Sequence, residues 1–171
     1  ATVELSVRLW DNIEPIQFDG LFQICELQTG VSIVIPSYKG EKTILRCLSS
    51  IAKQNFDLRH LEVILVLNGE RDSTRTKVEK FLKKNTLLDV NVIESINVVA
   101  SSAIIEGIKK AKFNFITFID DDDYIDENYI LNLYASSGYG NISITGVKDE
   151  IEKTGEKIDS PITQQITNAL K

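Results

Sequence analysis

Residues 113–124 read Phe-Asn-Phe-Ile-Thr-Phe-Ile-Asp-Asp-Asp-Asp-Tyr. The first seven are dominated by aromatic and β-branched side chains, too few for a typical helix and well suited to a strand. Four successive aspartates follow without a spacer, so the strand is predicted to end where the acidic segment begins. Three more short apolar runs precede it. Residues 31–35 (Val-Ser-Ile-Val-Ile) are stopped by Pro36, and residues 61–67 (Leu-Glu-Val-Ile-Leu-Val-Leu) by Asn68-Gly69. Residues 90–93 (Val-Asn-Val-Ile) are shorter and weaker. The two strongest runs are nearly continuous apolar, the pattern of strands buried on both faces.

Helical periodicity separates these runs. Ile44, Leu45, Cys47, Leu48, Ile51 and Ala52 fall on one face of a helix beginning near Glu41. Asp72 and Ser73 are N-cap candidates for a second helix carrying Val78, Phe81 and Leu82. Ala100, Ala103, Ile104, Gly107, Ile108 and Ala111 form a third stripe. Strand alternating with helix predicts an α/β fold, a doubly wound, Rossmann-like and mostly parallel sheet flanked by helices. Such sheets bind ligands beyond the carboxyl ends of their strands. Those ends carry Pro-Ser-Tyr-Lys-Gly-Glu (36–41), Asn-Gly-Glu-Arg-Asp (68–72), Glu-Ser-Ile-Asn (94–97) and the aspartates at 120–123, a polar and mostly acidic rim.

Composition narrows the function classes. The 171 residues suit one domain. Lys and Arg total 19 against 25 Asp and Glu, a formal net charge of -6. That balance argues against a chain whose main task is gripping nucleic acid, which leaves a basic footprint; Lys80, Lys83 and Lys84 read as a solvated helix face. Two cysteines, Cys25 and Cys47, form neither a disulfide framework nor a zinc spacing, and Cys47 lies on the apolar stripe as a core residue. That cysteine usage fits a reducing compartment, and the expected location is cytoplasmic, peripheral to the inner face of the membrane; no apolar run is long enough to span a bilayer. The absence of methionine suggests a fragment. Residues 1–30 are expected to be an extension or added hairpin, with possible strands at 3–9 and 21–27, and residues 31–171 the main domain, with a further strand at 141–146.

Four adjacent carboxylates repel, and each raises its neighbours' pKa. A divalent cation relieves that repulsion, and Mg²⁺ or Mn²⁺ prefers carboxylate oxygen, commonly one or two carboxylates plus substrate phosphates. The alternative is a solvated acidic loop that caps the next helix.

Residues 31–41 (VSIVIPSYKGE) resemble the opening strand and nucleotide loop of the inverting family-two glycosyltransferases of the GT-A fold. Residues 61–69 (LEVILVLNG) resemble their second strand, and residues 107–126 (GIKKAKFNFITFIDDDDYID) their helix, strand and DXD motif. The resemblance covers roughly residues 30–130, in the family's order. It implies a donor site for a nucleotide-diphosphate sugar, a UDP-sugar foremost, with Mn²⁺ or Mg²⁺ as cofactor and a saccharide or lipid-linked acceptor, in surface polysaccharide or glycoconjugate synthesis. By the same resemblance Pro36, Ser37 and Tyr38 border the base, Tyr38 stacking near it with Glu41 nearby. Asp120 and Asp122 form the DXD pair; Asp122 binds the metal, Asp120 or Asp121 reaches the ribose or a metal-bound water, and Asp123 supports sugar or metal.

The chain departs from the family pattern in three places. Leu67 and Asn68 stand where two acidic residues are usual, although Asn68 can still hydrogen-bond a base edge. Ile104 and Ile105 replace an Arg-Asn pair near the phosphates. No general base that would deprotonate an acceptor hydroxyl is evident after the DXD strand, where Asp149, Glu150 and Asp159 read as surface charge. His60, the lone histidine, precedes the second strand and reads as structural. Two rival functions follow: a non-catalytic sugar-nucleotide-binding module, and an aspartate-dependent phosphotransferase or phosphatase using the Asp120–Asp122 spacing.

Overall fold

The computed structural model describes residues 28–96, 98–136, 148–150 and 157–159. The expected strands at 3–9, 21–27 and 141–146, the extension over most of 1–30, Cys25, Asn97 and the side chains of Asp149, Glu150 and Asp159 lie outside the residues described.

Four parallel strands, β1 (Gln28–Ser37), β2 (Leu61–Asn68), β3 (Asp89–Ser95) and β4 (Phe113–Phe118), lie in the order β3-β2-β1-β4. Between them run α1 (Ile44–Ile51), α2 (Thr74–Leu82) and α3 (Ala100–Ile108), and α4 (Tyr129–Ser136) follows β4. A 3-10 turn at Gly40–Lys42 precedes α1, so the helix expected near Glu41 starts three residues later. A short antiparallel pair joins Lys148–Glu150 to Lys157–Asp159.

The two-residue period of each strand divides the core between two faces. Val31, Ile33, Ile35, Leu61, Val63 and Leu65 point to the face covered by Ile44, Cys47, Leu48 and Ile51 of α1, Val78 of α2 and Ile130 of α4. The spacing i, i+3, i+4, i+7 on α1 explains why all four of its core residues are buried together; each aliphatic one contributes about 1.5–3 kcal/mol through burial. Val34, Ile64 and Val66 point to the other face, covered by Ala103 of α3. Gly107 lets α3 approach closely, because a β-carbon there would collide with Val34. At the amino ends of the strands, Glu62 is buried yet satisfied: it accepts from the Ser32 hydroxyl at 2.6 Å and from the Lys112 backbone N–H at 2.8 Å.

The strand order places the topological switch between β1 and β4. From β1 the chain moves one way through β2 and β3, then returns to the other side of β1. Connections on either side of such a point leave in opposite directions and open a crevice at the carboxyl ends of the two strands. The Ile119 N–H donates to the Val34 carbonyl at 3.2 Å. The β1–β4 pairing therefore runs to the residue before Asp120 and sets the aspartates on the rim of the crevice.

Candidate functional site

Pro36, Tyr38, Asn68, Val98, Ala100, Asp120, Asp121 and Asp122 line one open cleft of about 220 Å³ at this switch point. Residues separated by more than eighty positions meet there because β1 and β4 are hydrogen-bonded neighbours. The Ser37 hydroxyl donates to the Asp121 carboxylate. Gly40 permits that contact, since a β-carbon at position 40 would occupy the space shared by the Ser37 hydroxyl and the Asp121 carboxylate. Burial pushes the Asp121 carboxyl above its ordinary pKa, the Ser37 hydrogen bond opposes the shift, and the charges of Asp122 and Asp120 add to it.

One end of the cleft is neutral. The Tyr38 ring, about half exposed, rests against Gly69, whose φ of 86° puts it in the left-handed region and whose missing β-carbon leaves room for the ring and for Val98. Asn68, 4% exposed, is the last residue of β2. Its side-chain N–H donates to the Val98 carbonyl at 3.1 Å, while its buried Oδ1 has no hydrogen-bond partner. An unmet buried acceptor costs about 1–3 kcal/mol.

The other end is anionic. Asp120 and Asp122 are exposed and line the cleft, and among the described residues their carboxylates make no ion pair or hydrogen bond. Asp123 is exposed but is not part of the lining, and its backbone N–H closes a turn onto the Asp120 carbonyl at 3.1 Å. No three His, Cys, Asp or Glu side chains among the described residues form a ready-made metal cage. Two hard carboxylates facing one cleft still fit Mg²⁺ or Mn²⁺, which commonly takes one or two carboxylates and completes its shell with water and phosphate.

Glu41 stands apart from this cleft. Its carboxylate accepts from the Ser73 hydroxyl at 2.5 Å, which holds it below the usual carboxylate range, and its carbonyl accepts from Lys77 Nζ at 2.7 Å. Glu41 thereby ties the loop after β1 to the start of α2. The α2 start is shared as well: Ser73 occupies the cap position, and Asp72 Oδ1 accepts from the Thr74 N–H at 2.9 Å. His60 lies outside the cleft, its Nδ1 3.3 Å from Asp57. Ile104 is half-buried and Ile105 exposed, so α3 brings no side-chain cation at the family's arginine position.

Sequence patterns did not point to Val98 and Ala100 as parts of the cleft. The available signal was their place just before, and at the start of, the third apolar stripe, where a helix presents its first N–H groups. The supports beneath the aspartates had no sequence signal either. Arg46 Nη2 donates to the Asp122 carbonyl at 2.6 Å, with its guanidinium 5.0 Å from the centre of the Tyr124 ring. The Cys47 thiol, buried under the same turn, lies 3.7 Å from the Asp120 carbonyl.

Residues 32–161 match the family described as Glycosyl transferase family 2. The poly(ribitol-phosphate) beta-glucosyltransferase of Bacillus spizizenii is 35% identical over 67% of this chain, and the poly(ribitol-phosphate) beta-N-acetylglucosaminyltransferase TarS of Staphylococcus aureus is 34% identical over 61% of it. The chain spans 18% of the length of each. The crystal structure of S. aureus TarS 1–349 in complex with UDP-GlcNAc superposes with a TM-score of 0.54 at 29% identity, covering 63% of this chain and 30% of that one. The mannosyltransferase PcManGT of Pyrobaculum calidifontis, solved with GDP-Man and Mn²⁺, shares the fold at a TM-score of 0.59 and 19% identity, covering 63% of this chain and 32% of that one. The chain belongs to glycosyl transferase family 2.

Proposed function

We propose that the cleft is the donor site of a glycosyltransferase that takes a nucleotide-diphosphate sugar, a UDP-sugar foremost, with Mg²⁺ or Mn²⁺, and transfers the sugar to an acceptor hydroxyl. The observation that carries this reading is the Ser37–Asp121 contact across the β1–β4 switch, which joins the loop after β1 and the aspartates into one cleft. The two ends of the cleft suit the two ends of such a donor. Pro36, Ser37 and Tyr38 border the base, and Tyr38 offers it a stacking face. Asn68 Oδ1, its amide N–H already committed to Val98, accepts from the imide N–H of uracil.

Asp120 and Asp122 hold the metal and Asp121 stands beside the ribose, with Asp123 and Glu41 as outer supports. When bound, the metal offsets the charge that develops on the departing diphosphate. Ala100 lies at the amino end of α3, where unpaired N–H groups and the helix dipole favour phosphate. That end supplies some of the positive potential that Ile104 and Ile105 do not. The acceptor hydroxyl displaces the nucleoside diphosphate from the sugar, and the base that takes the hydroxyl proton is assigned to no described residue. TarS, 34% identical over 61% of the chain, is named for transfer of N-acetylglucosamine to poly(ribitol-phosphate); a saccharide, polyol-phosphate or lipid-linked acceptor in surface-polymer synthesis is in keeping with that similarity. The reading includes a cytoplasmic location at the inner face of the membrane; among the described residues no helix is long and apolar enough to cross one.

Calorimetric titration of the chain with UDP, GDP and their sugar conjugates, with and without Mn²⁺, tests the proposal. Metal-dependent binding of UDP in preference to GDP is expected. A folded chain that binds neither nucleotide under either condition overturns the donor-site reading.

A further inference from the structure

Beside its buried stripe, α1 carries a line of polar groups that end on the main chain of residues 120–130. Arg46 donates to the Asp122 carbonyl at 2.6 Å and Cys47 to the Asp120 carbonyl at 3.7 Å. The Ser50 hydroxyl accepts from the Ile125 N–H at 3.1 Å. Just past the helix, Gln54 grips the segment twice. Its Nε2 donates to the Asp126 carbonyl at 2.6 Å and to the Ser50 carbonyl at 3.2 Å, and its Oε1 accepts from the Ile130 N–H at 2.9 Å. The neighbouring Asn55 N–H donates to the Glu127 carbonyl at 2.8 Å.

These contacts share a chemical logic. A cation set directly against Asp120 or Asp122 would steady the loop but compete with any metal for their carboxylates. Carbonyl and N–H contacts fix the backbone and leave those two carboxylates open to the cleft. Gln54 is the most constrained of the group, 7% exposed and with both ends of its amide in use. Its contacts reach Asp126 and also Ile130, whose N–H in the first turn of α4 would otherwise lack a helical partner.

We propose that Gln54 is a positioning residue for the anionic end of the cleft: it holds the segment that follows the aspartates so that Asp120 and Asp122 keep the separation a metal–diphosphate requires. The proposal rests on the donor-site reading above. It predicts a split. The neutral end is built by Gly69, Asn68 and Val98, and Asp121 beside the ribose is held by Ser37 of β1, all without Gln54, so the nucleoside part of the ligand is indifferent to the brace.

Gln54→Met keeps the side-chain length and removes both hydrogen-bonding ends. Two measurements on the intact chain test it. Amide hydrogen exchange without ligand is expected to accelerate at Ile125 and Ile130 relative to β1 and β2. Calorimetry is expected to show about a tenfold loss of affinity for UDP with Mn²⁺, the low end of what loss of an outer-shell support costs a metal site, with uridine affinity unchanged within twofold. Val78→Ala, a core truncation in α2, controls for general destabilisation and should lower Tm without splitting the two ligands. If Gln54→Met does not fold, Ser50→Ala, which removes the acceptor for the Ile125 N–H and the hydroxyl's own bond to the Cys47 carbonyl, should show the same split on a smaller scale. Uridine and UDP–Mn²⁺ affinities that fall together, or an unchanged UDP–Mn²⁺ affinity, overturn the proposal. A wild-type chain that binds neither ligand removes the donor-site reading; exchange then decides the brace alone, and unaltered exchange at Ile125 and Ile130 overturns it.

Discussion

The two ends of the cleft are built in different ways. The neutral end grows from the middle of the sheet: Asn68 closes β2, which is paired on both sides, and Tyr38 follows β1, also paired on both sides. Its geometry is inherited from the core and from one glycine, Gly69. The anionic end follows β4, which has a hydrogen-bonded neighbour on one side among the described residues and leaves Ile116 and Phe118 substantially exposed. Like charges press this end apart, and its shape comes from side chains of another element, α1. The difference teaches that a cleft can be preorganised by burial where it is neutral, but needs outside hydrogen bonds where it gathers charge.

The comparison breaks most sharply at Asp122. Asp122→Ala should lower UDP affinity in the presence of Mn²⁺ on the order of 100-fold, the upper end of the range for outer-shell losses, and leave uridine affinity as in wild type. Calorimetry with both ligands reads this directly; equal losses would mean that the two ends are not separable.

Asn68→Ala should do the reverse on a smaller scale. Uridine and UDP should each lose about tenfold, near the 1.4 kcal/mol of one good hydrogen bond, and the ratio of affinities with and without Mn²⁺ should stay fixed. A change in that ratio would show that Asn68 acts on the aspartates as well as on the base.

The pH dependence of stability follows from Asp121. Its folded pKa is raised by burial, so its contribution favours the fold at low pH, below the unfolded value of 3.8, and is lost as pH rises through the folded value. Asp121→Asn removes that loss while keeping an acceptor for Ser37. The variant should melt higher than wild type at pH 7, with the difference shrinking as pH falls toward 4. Thermal melts across this range check the sign, and a lower-melting variant at pH 7 would show that the Ser37 bond outweighs the burial of charge.

The smallest effect sharpens the account of α1. Burial pushes the Cys47 thiol up to about 12, with the charges of Asp121, Asp123 and Asp122 adding to the shift, and the thiolate is the reactive form. Cys47 should resist iodoacetamide at pH 8 in the folded chain and react on unfolding in urea, as mapped by mass spectrometry. Rapid labelling under native conditions would mean that α1 lifts away from the aspartate turn.

Much of the fold was legible because it follows from periodicity. Continuous apolar runs at 31–35 and 61–67 could be satisfied only by strands covered on both faces, and the stripe on α1 by a helix lying on them. The aspartates were legible as a candidate site because four adjacent charges of one sign at the end of a strand are costly without a ligand. The β3 run was read short by residues at each end, since Asp89, Asn91 and Glu94 break its pattern while the backbone pairing with β2 continues.

Sequence alone thus determined the α/β class, the polar rim at the strand ends and the types of group that line it. Tertiary structure decided which of those groups meet. The order β3-β2-β1-β4 brings Ser37 to Asp121 and separates Glu41, whose carboxylate goes to Ser73 instead. It also recruits Arg46, Cys47 and Ser50 of α1, and Gln54 just past it, as supports, although residues of these types commonly face water or core. The physical reason is range. Periodicity and charge repulsion act between near neighbours in sequence, whereas a hydrogen bond between residues more than seventy positions apart exists only once strand pairing has brought them together.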